Sequence, residues 1–317
     1  RAPNDPTSPT DGFSGRRGTS VTCGQCQVWI PRTHHFGETG NPFWRRWRRL
    51  EFADDHLRIR ETEILSDASF WGALQEQMKQ ANDGRPHGLV YLHGYNVGFH
   101  DAIIRGAQIG FDLRVSGATA IFSWPSQGTL KGYPADGAAV EASENAISHF
   151  LTDFTRRSGA AVIHVIAHSM GNRGLLRSLQ RIAADAKLAA GVRFGQIFLA
   201  APDVDRDLFL DLARLYPEFS NRTTLYASPM DRAVEISGWL HEAPRAGYLP
   251  PVTVVRGVDR FDTVEVPGFN LDAMGHGYFA EAEGVLYDMV DLMLHGTPPP
   301  RTRMDQDSTD GHWVMRL

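Results

Sequence analysis

The chain has 317 residues, a formal net charge of -5 at pH 7 and a hydrophobic fraction of 42%. This size suits one large domain or two small ones, each able to bury a core. The negative net charge gives no general attraction to nucleic acid or to an anionic membrane. No apolar run approaches the ~18 residues that a membrane-spanning helix needs. Composition therefore favours a globular protein with no membrane span and no nucleic-acid partner.

The first segment, residues 1–19, is rich in Pro, Ser, Thr, Gly and Asp and predicts a disordered leader or linker. Such a leader often follows a removed signal or lipid-anchor segment, and the sequence begins at Arg1 rather than Met. We therefore expect export to the periplasm, the cell envelope or the medium, with a cytoplasmic location as the alternative. Residues 20–296 are predicted to form a single α/β domain. Residues 297–317 are predicted to form a polar tail, in which the stretch 312–314 could dock on the domain.

The two cysteines, Cys23 and Cys26, have the C-x-x-C spacing of a redox pair or of half a zinc site. A zinc site needs two further ligands, and the sequence has no second C-x-x-C. A thioredoxin-like motif opens a helix, whereas this pair lies among strand-forming residues. We expect two thiols or, in an exported protein, a small local disulfide.

A basic and aromatic cluster, W-R-R-W-R-R, occupies residues 44–49. Such a cluster can contact phosphates, a membrane surface or an anionic partner. It is also typical of an exposed edge strand or hairpin whose arginines prevent pairing with other chains. We favour the second interpretation and keep association with the cell envelope as a hypothesis.

Strands and helices alternate along the rest of the chain. Strands are predicted at residues 20–31, 51–65, 89–92, 119–123, 162–166, 196–200, 223–227 and 252–255. Helices are predicted at residues 66–82, 99–113, 138–157, 174–188, 205–216, 233–240 and 278–294. This alternation predicts an α/β fold, with a mostly parallel central sheet and helices on both faces.

The most specific motif is A-H-S-M-G-N at residues 167–172, between a buried strand and an amphipathic helix. A serine at a sharp strand-to-helix turn is typical of the nucleophile elbow of the α/β-hydrolase fold. Ala167 and Gly171 are the small residues that such a turn requires, because a larger side chain would collide with the neighbouring strand or helix. The motif predicts that Ser169 is a catalytic nucleophile.

The acid of a catalytic triad follows the serine in this fold and lies after a later strand. Asp231 is four residues beyond the predicted strand that ends at Ala227, and it is our candidate. Asp203, after the preceding strand, is the second candidate, whereas Asp205 is expected to cap a helix. Asp259 and Asp262 are expected in a segment that covers the sheet edge.

His276 is the candidate base, because it lies between two glycines on the loop after the last predicted strand. The glycines let the backbone turn so that the imidazole can reach Ser169. The alternatives are His241, His295 and His312, none of which is flanked by glycines on the loop after the last predicted strand. His168 is expected to point away from the nucleophile, and His164 is expected to be a hydrogen-bonded core residue.

Two backbone N–H groups are expected to form the oxyanion hole. One belongs to Met170, directly after the nucleophile. The other belongs to Tyr95 in the turn H-G-Y-N at residues 93–96, which follows a predicted strand. Tyr95, Trp124 and Tyr133 are candidate walls of the substrate pocket.

Few residues separate Ala201 from Thr223, where many lipases insert a cap domain, so no large cap domain is expected. The glycine-rich segment 127–137 could form a small flap. A short insertion favours an open cleft and soluble, short-chain or aryl esters over long triglycerides.

Six motifs together resemble the bacterial α/β-hydrolases long catalogued as a family of unknown function within the esterase/lipase superfamily. They are V-W-I-P-R at 28–32, H-G-Y-N at 93–96, F-S-W-P-S at 122–126, A-H-S-M-G-N-R at 167–173, A-A-P-D at 200–203 and L-Y-A-S at 225–228. The similarity covers about residues 21–294. It implies the α/β-hydrolase fold, Ser169 as nucleophile and an esterase-type activity, but no particular substrate.

The sequence therefore predicts a serine carboxylesterase that acts on a small-molecule ester and needs no metal or organic cofactor. An amidase, a lactonase or a thioesterase would use the same triad. A non-catalytic binding protein on this fold would lack a triad member, yet all three have candidates. The thirteen histidines show no H-x-x-E-H or H-x-H-x-D grouping of a metallohydrolase. The oligomeric state stays open.

Overall fold

The computed structural model describes residues 1–4, 12–38, 56–81, 84–267, 283–307 and 309–316. The strands are β1 (Cys23–Trp29), β2 (Arg58–Leu65), β3 (His87–Leu92), β4 (Ala118–Phe122), β5 (Val162–His168), β6 (Phe194–Ala200), β7 (Ser220–Ala227), β8 (Phe261–Glu265), β9 (Met304–Gln306) and β10 (Trp313–Met315). The helices are α1 (Asp67–Lys79), α2 (Phe99–Asp112), α3 (Tyr133–Ala142), α4 (Glu144–Arg157), α5 (Gly171–Ala184), α6 (Ala186–Ala189), α7 (Arg206–Leu212), α8 (Leu215–Phe219), α9 (Arg232–His241) and α10 (Glu283–His295).

The central sheet has eight strands in the order β4-β3-β5-β6-β7-β8-β10-β9. All neighbouring pairs are parallel except β10 and β9, which are antiparallel. The chain forms β3 and then β4 at one edge of the sheet, and the next strand, β5, pairs with the other side of β3. Strand order therefore reverses between β3 and β5, which is where open α/β sheets place their binding sites.

Both faces of the sheet are covered, as the alternation of strands and helices predicts. In β3, Val90 and Leu92 pack on one face with apolar residues of α1, α4 and α5. Leu89 and Tyr91 pack on the other face with apolar residues of α2 and α10. Because successive residues of a strand point to opposite faces, one short strand contributes to both cores. The structure confirms the α/β-hydrolase fold and its mostly parallel sheet.

The predicted strand at residues 252–255 is wrong. The last long parallel strand is instead β8, which contains Asp262 and pairs with β7 along its whole length. From the sequence, Asp262 is expected in a segment that covers the sheet edge. In the structure Asp262 is buried and paired with Arg222 at 2.8 Å and with Arg301 at 3.1 Å. These ion pairs compensate its desolvation.

Three long predicted helices are each divided into two. The helix predicted at residues 174–188 is α5 followed by α6, with Asp185 between them. The helix predicted at residues 138–157 is α3 followed by α4, with Ser143 between them. The helix predicted at residues 205–216 is α7 followed by α8. Asp205 caps α7 as expected, because its carboxylate accepts the N–H groups of Asp207 and Leu208 at 3.1 and 3.0 Å.

Cys23 and Cys26 both lie in β1, which forms a two-stranded antiparallel sheet with β2. Residues three apart in a strand point to opposite faces, and their Cα atoms are ~10 Å apart. A disulfide needs Cα atoms within ~7 Å. The two cysteines are free in the structure, so the expected local disulfide is wrong and the expectation of two thiols is confirmed.

The chain ends lie against the domain. Residues 1–4 and 12–18, which we call the N-terminal strap, are joined by backbone hydrogen bonds, such as that from Ala2 N–H to the Arg16 carbonyl at 2.7 Å. In the tail, β9 and β10 extend the central sheet, which confirms the predicted docking of residues 312–314. The cluster at residues 44–49 lies outside the described residues. No helix in the described ranges is long and apolar enough to cross a bilayer.

Candidate active site

Ser169 occupies the turn between β5 and α5. Its backbone φ is 51°, in the left-handed region that residues with a side chain rarely adopt. The serine is only 3% exposed, and its N–H donates to the carbonyl oxygen of Ala200 at 2.9 Å. This geometry at the end of a buried parallel strand is that of a nucleophile elbow, which confirms the predicted turn.

Glycine is required at two positions around this turn. A Cβ on Gly171 would lie 2.6 Å from the carbonyl oxygen of His93 and 2.7 Å from that of Leu92. A Cβ on Gly94 would lie 2.9 Å from the Cβ of Ser169. All three distances are too short for a side chain, so the turn after β3 packs directly against the elbow.

Asn172 holds the elbow from inside the protein. Its fully buried side-chain amide donates to the carbonyl oxygens of Ala167 at 3.0 Å and of Ser169 at 3.1 Å. The same amide lies 3.3 Å from the carbonyl oxygen of Ala200 in β6. The motif includes this asparagine, but its role depends on a carbonyl of another strand, which the sequence alone does not reveal.

Met170 is the N-cap residue of α5 and is fully buried. The first N–H groups of a helix have no intrahelical acceptor, and the helix dipole makes this end partly positive. Within the described ranges, no hydrogen bond uses the Met170 N–H. This donor is therefore suited to a developing negative charge.

The predicted oxyanion turn, residues 93–96, follows β3, the neighbour of β5. Asn96 has a φ of 57°, and its N–H donates to the Asp136 carboxylate at 3.1 Å. The same fully buried carboxylate accepts the hydroxyl of Ser126 and the N–H of Gln127, both at 2.6 Å. One carboxylate therefore joins the turn after β3 to the loop after β4.

His93 and Trp124 support this turn from the protein interior. Their rings are stacked with centroids 4.7 Å apart, and the indole N–H donates to the His93 carbonyl oxygen at 2.8 Å. Burial, together with the adjacent Arg1 guanidinium, lowers the pKa of His93 to about 3, so the imidazole is neutral at pH 7. Trp124, predicted as a pocket wall, is 1% exposed and packs behind the turn.

Tyr95 and Tyr133, the other predicted pocket walls, lie together. Their rings meet edge to face with centroids 5.2 Å apart, and both residues are half-buried. The hydroxyl of Tyr133 is 2.6 Å from the Ser237 hydroxyl and donates to the Asp203 carboxylate at 2.7 Å. Tyr133 is therefore fixed at both its ring and its hydroxyl group.

Asp203 is buried in a network of donors after β6. Its carboxylate accepts hydrogen bonds from Arg173 at 2.9 Å and from Ser237 at 2.5 Å, and Arg245 is 3.5 Å away. Burial alone would raise the pKa of Asp203, but the charge of Arg173 and these hydrogen bonds lower it below its usual value. This carboxylate is ionised and already engaged.

Asp231 follows β7 and is fully buried. It is the N-cap residue of α9, where one carboxylate oxygen accepts the N–H of Val234 at 3.0 Å. Asp231 therefore begins α9, whereas Asp203 lies beside the guanidinium groups of Arg173 and Arg245. The two candidate acids thus differ in environment.

His276 lies outside the described residues. In the sequence it lies between β8 and α10. Because β8 neighbours β7 in a parallel sheet, the chain leaves the end of β8 at the same edge of the sheet as the loops of Ser169 and Asp231.

Several other histidines are buried or have hydrogen-bond partners. His164 is buried in β5, accepts the Gln196 N–H at 3.2 Å and lies 3.2 Å from His87, which confirms it as a core residue. His241 contacts the carbonyl oxygen of Ser237, and His312 contacts the carboxylate of Glu265 at 3.0 Å. His168 is buried at the end of β5.

A possible metal-ligand group within the described ranges comprises Asp307, Asp310 and His312. It lies in the tail between β9 and β10. Strand β10 is four places from β5 in the sheet, which corresponds to ~19 Å. This group is therefore separate from the elbow.

Residues 67–293 match the family described as "Alpha/beta hydrolase of unknown function (DUF900)", which is more than half of the chain. The chain belongs to this family. A curated relative, the uncharacterized protein alr1448 of Nostoc sp. (strain PCC 7120), is 26% identical over a match that covers 38% of this chain and 43% of the relative. The chain thus spans less than half the length of that relative.

Several solved structures are similar at lower identity. A cold-adapted esterase from an Arctic intertidal metagenomic library is 16% identical with a TM-score of 0.42, covering 65% of this chain and 82% of that one. Dienelactone hydrolase from Anabaena variabilis is 12% identical with a TM-score of 0.39, covering 67% and 85%. An esterase from Pyrobaculum calidifontis is 15% identical with a TM-score of 0.38, covering 66% and 75%. The activities in these names are properties of those proteins.

Proposed function

We propose that the protein is a serine esterase that cleaves short-chain or aryl carboxylic esters through an acyl-enzyme on Ser169. The observation that carries the proposal is the backbone of Ser169. This residue has a φ of 51° and lies directly before Met170, the N-cap residue of α5. Such strain costs ~1–3 kcal/mol and persists where the surrounding structure enforces it, most often at active sites.

In the proposed reaction, His276 removes the proton from the Ser169 hydroxyl while the oxygen attacks the ester carbonyl carbon. The proton then passes from His276 to the departing alcohol, which leaves the acyl group on the serine. Water, activated by the same imidazole, hydrolyses the acyl-enzyme to the acid. Asp231 holds the imidazole in its productive tautomer and stabilises the charged form.

The N–H groups of Met170 and Tyr95 stabilise the oxyanion of both tetrahedral intermediates. Each such donor contributes ~3 kcal/mol to the transition state in enzymes of this kind. The position of Met170 at the start of α5 supports this role, as does the Asp136 contact that holds the turn of Tyr95.

Two differences support Asp231 over Asp203 as the triad acid. The Asp203 carboxylate is neutralised by Arg173 and already accepts hydrogen bonds from two hydroxyl groups. Asp231 is buried after the next strand, β7, beside the strand that leads to His276. Asp231 is therefore the proposed acid.

The substrate range is proposed from the connection between β6 and β7. Nineteen residues, 201–219, separate these strands and contain only the short helices α7 and α8. A cap domain would need a longer insertion, so an open cleft and small, soluble esters are favoured. The half-buried rings of Tyr95 and Tyr133 are the proposed walls of this cleft.

The test is hydrolysis of p-nitrophenyl acetate, butyrate and decanoate by the purified chain and by Ser169→Ala, His276→Ala and His295→Ala. His295 is exposed at the end of α10 and serves as the histidine control. We expect short esters to be cleaved, activity to vanish in the first two variants and to persist in the third. Absence of turnover and of fluorophosphonate labelling at Ser169 would refute the proposal.

A further inference from the structure

The N-terminal strap lies on the loop after β4 and on the start of α2. The ring of Phe13 contacts that of Phe99 with centroids 4.9 Å apart, and the Gln127 side chain donates to the Gly15 carbonyl at 2.9 Å. A Cβ on Gly15 would lie 2.7 Å from the carbonyl oxygen of Ser126, so the two backbones are in close contact. This packing carries Arg1 towards the oxyanion turn.

The Arg1 guanidinium bridges the two loops that carry the turn. On the side of β4 it donates to the Ser123 hydroxyl at 2.7 Å and to the Ser126 carbonyl at 3.0 Å. On the side of β3 it donates to the Val97 carbonyl at 2.7 Å and lies 3.3 Å from Nε2 of His93. A further contact, at 3.4 Å, is to the Ser14 carbonyl of the strap.

The contact with His93 determines which ring nitrogen carries the proton. A guanidinium only donates hydrogen bonds, so Nε2 of His93 must accept. In the neutral imidazole the proton then resides on Nδ1, which donates to the Gly94 carbonyl oxygen at 2.8 Å. Without Arg1, the Trp124 carbonyl oxygen, 3.1 Å from Nε2, would favour the other tautomer.

The Gly94 carbonyl belongs to the peptide group whose N–H is that of Tyr95. Because a peptide group is planar, a hydrogen bond that holds the carbonyl also fixes the direction of the N–H. Loss of the proton on Nδ1 would place two acceptors, Nδ1 and the Gly94 oxygen, 2.8 Å apart and would drive this peptide group to rotate.

We propose that Arg1 is a positioning residue that selects the Nδ1–H tautomer of His93 and thereby aligns the Tyr95 N–H for the oxyanion. The proposal rests on the proposed function for its catalytic consequence, whereas the tautomer itself does not depend on turnover. The strap is accordingly part of the active-site framework. The guanidinium stays charged at neutral pH, since burial lowers the pKa of Arg1 only to about 10.

The test compares Arg1→Ala with Arg17→Ala, which removes an exposed arginine of the same strap. Ester kinetics are measured with and without added guanidine hydrochloride at non-denaturing concentration, and the His93 tautomer is read from ¹⁵N chemical shifts of ¹⁵N-histidine-labelled protein. His93→Phe assigns the resonance. Misalignment of a catalytic group by ~1 Å can lower the rate by ~100-fold.

We expect Arg1→Ala to lower kcat by ~10- to 100-fold with KM changed less than ~2-fold, to convert His93 to the Nε2–H tautomer, and to regain activity with guanidine. Arg17→Ala should match the unaltered chain. An unchanged tautomer in Arg1→Ala would overturn the proposal, as would an activity loss fully explained by a smaller active fraction in serine titration. If the unaltered chain cleaves no ester but the tautomer still switches, the proposed function fails and the positioning by Arg1 stands.

Discussion

The carboxylate of Asp136 accepts the backbone N–H of Asn96 at 3.1 Å, although forty residues separate them in the sequence. The same carboxylate binds Ser126 and Gln127, so three donors converge on one buried charge. Unfolding must expose this charge and break all three hydrogen bonds together. The turn after β3 is therefore held by a side chain from α3 as well as by its own strand.

Replacing Asp136 by asparagine should disturb the oxyanion turn. An amide retains one acceptor oxygen and presents an N–H₂ group to neighbouring donors, so at least one of the three hydrogen bonds is lost. We expect kcat for p-nitrophenyl acetate to fall ~10- to 100-fold, with a loss of ~1–3 kcal/mol in the free energy of unfolding. Glu141→Gln, exposed on the same helix, is the control. Equal kinetics in both variants would contradict the prediction.

Asp231→Asn and Asp203→Asn should separate catalysis from stability. Asparagine caps a helix as well as aspartate does, so Asp231→Asn should fold normally. It should nevertheless lose ~10³- to 10⁴-fold in kcat, because an amide favours the wrong histidine tautomer. Asp203→Asn should lose ~3–5 kcal/mol in the free energy of unfolding, because it removes the charge that faces the half-buried Arg173 and the buried Arg245.

Urea denaturation and steady-state kinetics of both variants check this pair. The activity of Asp203→Asn should be expressed per folded molecule, from titration of the reactive serine. If Asp203→Asn loses activity like a triad mutant while Asp231→Asn retains it, the assignment of the acid must be exchanged.

Gly171→Ala should destabilise the fold, because its methyl group would lie 2.6 Å from a backbone carbonyl oxygen that has little room to move. The expected loss is ~1–3 kcal/mol in the free energy of unfolding. Gly72→Ala is the matched control, since a Cβ on Gly72 has no atom within 4 Å in the exposed face of α1. That variant should gain up to ~1 kcal/mol from helix propensity. Thermal denaturation that ranks the two variants in the opposite order would exclude the steric explanation.

Stability should fall between pH 6.5 and pH 3 because His93 and His164 are buried as neutral rings. Burial lowers the pKa of each to about 3. The unfolded chain binds a proton at each of these sites below pH ~6.5, whereas the folded chain does not, so the free energy of unfolding decreases as the pH falls. Each residue contributes up to ~1.4 kcal/mol per pH unit within this window.

Urea titrations of the unaltered chain and of His164→Gln at pH 7, 6, 5 and 4 test this expectation. The glutamine variant should show a shallower pH dependence, whatever its stability at pH 7, because one of the two sites no longer takes up a proton. His295→Gln, on the exposed end of α10, is the control for replacement of a histidine. A slope that His164→Gln leaves unchanged would assign the acid sensitivity to other groups.

The elbow could be predicted from the sequence because its determinants are local. Ser169 and Gly171 lie within one turn, and the strand before them and the helix after them have clear apolar patterns. The strand β8 could not be predicted, because the partners that neutralise Asp262 lie forty residues before it and thirty-nine after it. Hydrophobic periodicity assigns a buried charge to the surface unless its partner is known.

The roles of Arg1 and Asp136 were hidden for the same reason. Each side chain contacts the oxyanion turn across more than thirty residues of sequence, and neither belongs to a recognisable motif. Trp124 shows the converse limit: its motif was recognised, but only the fold places its ring behind the turn rather than in front of it. The sequence thus identifies residues that take part in the chemistry more readily than residues that hold them in place.

The pairing of β10 with β8 also protects the protein from association with other copies of itself. Without β10, the outer side of β8 would present unpaired backbone donors and acceptors, which are templates for strand addition by another molecule. The tail is anchored by Arg301, whose guanidinium is paired with Asp288 at 2.6 Å and with Asp262. A chain shortened after His295 would lack β9 and β10 and would expose the edge of β8. We therefore expect it to aggregate before the turn at Ser169 loses its structure.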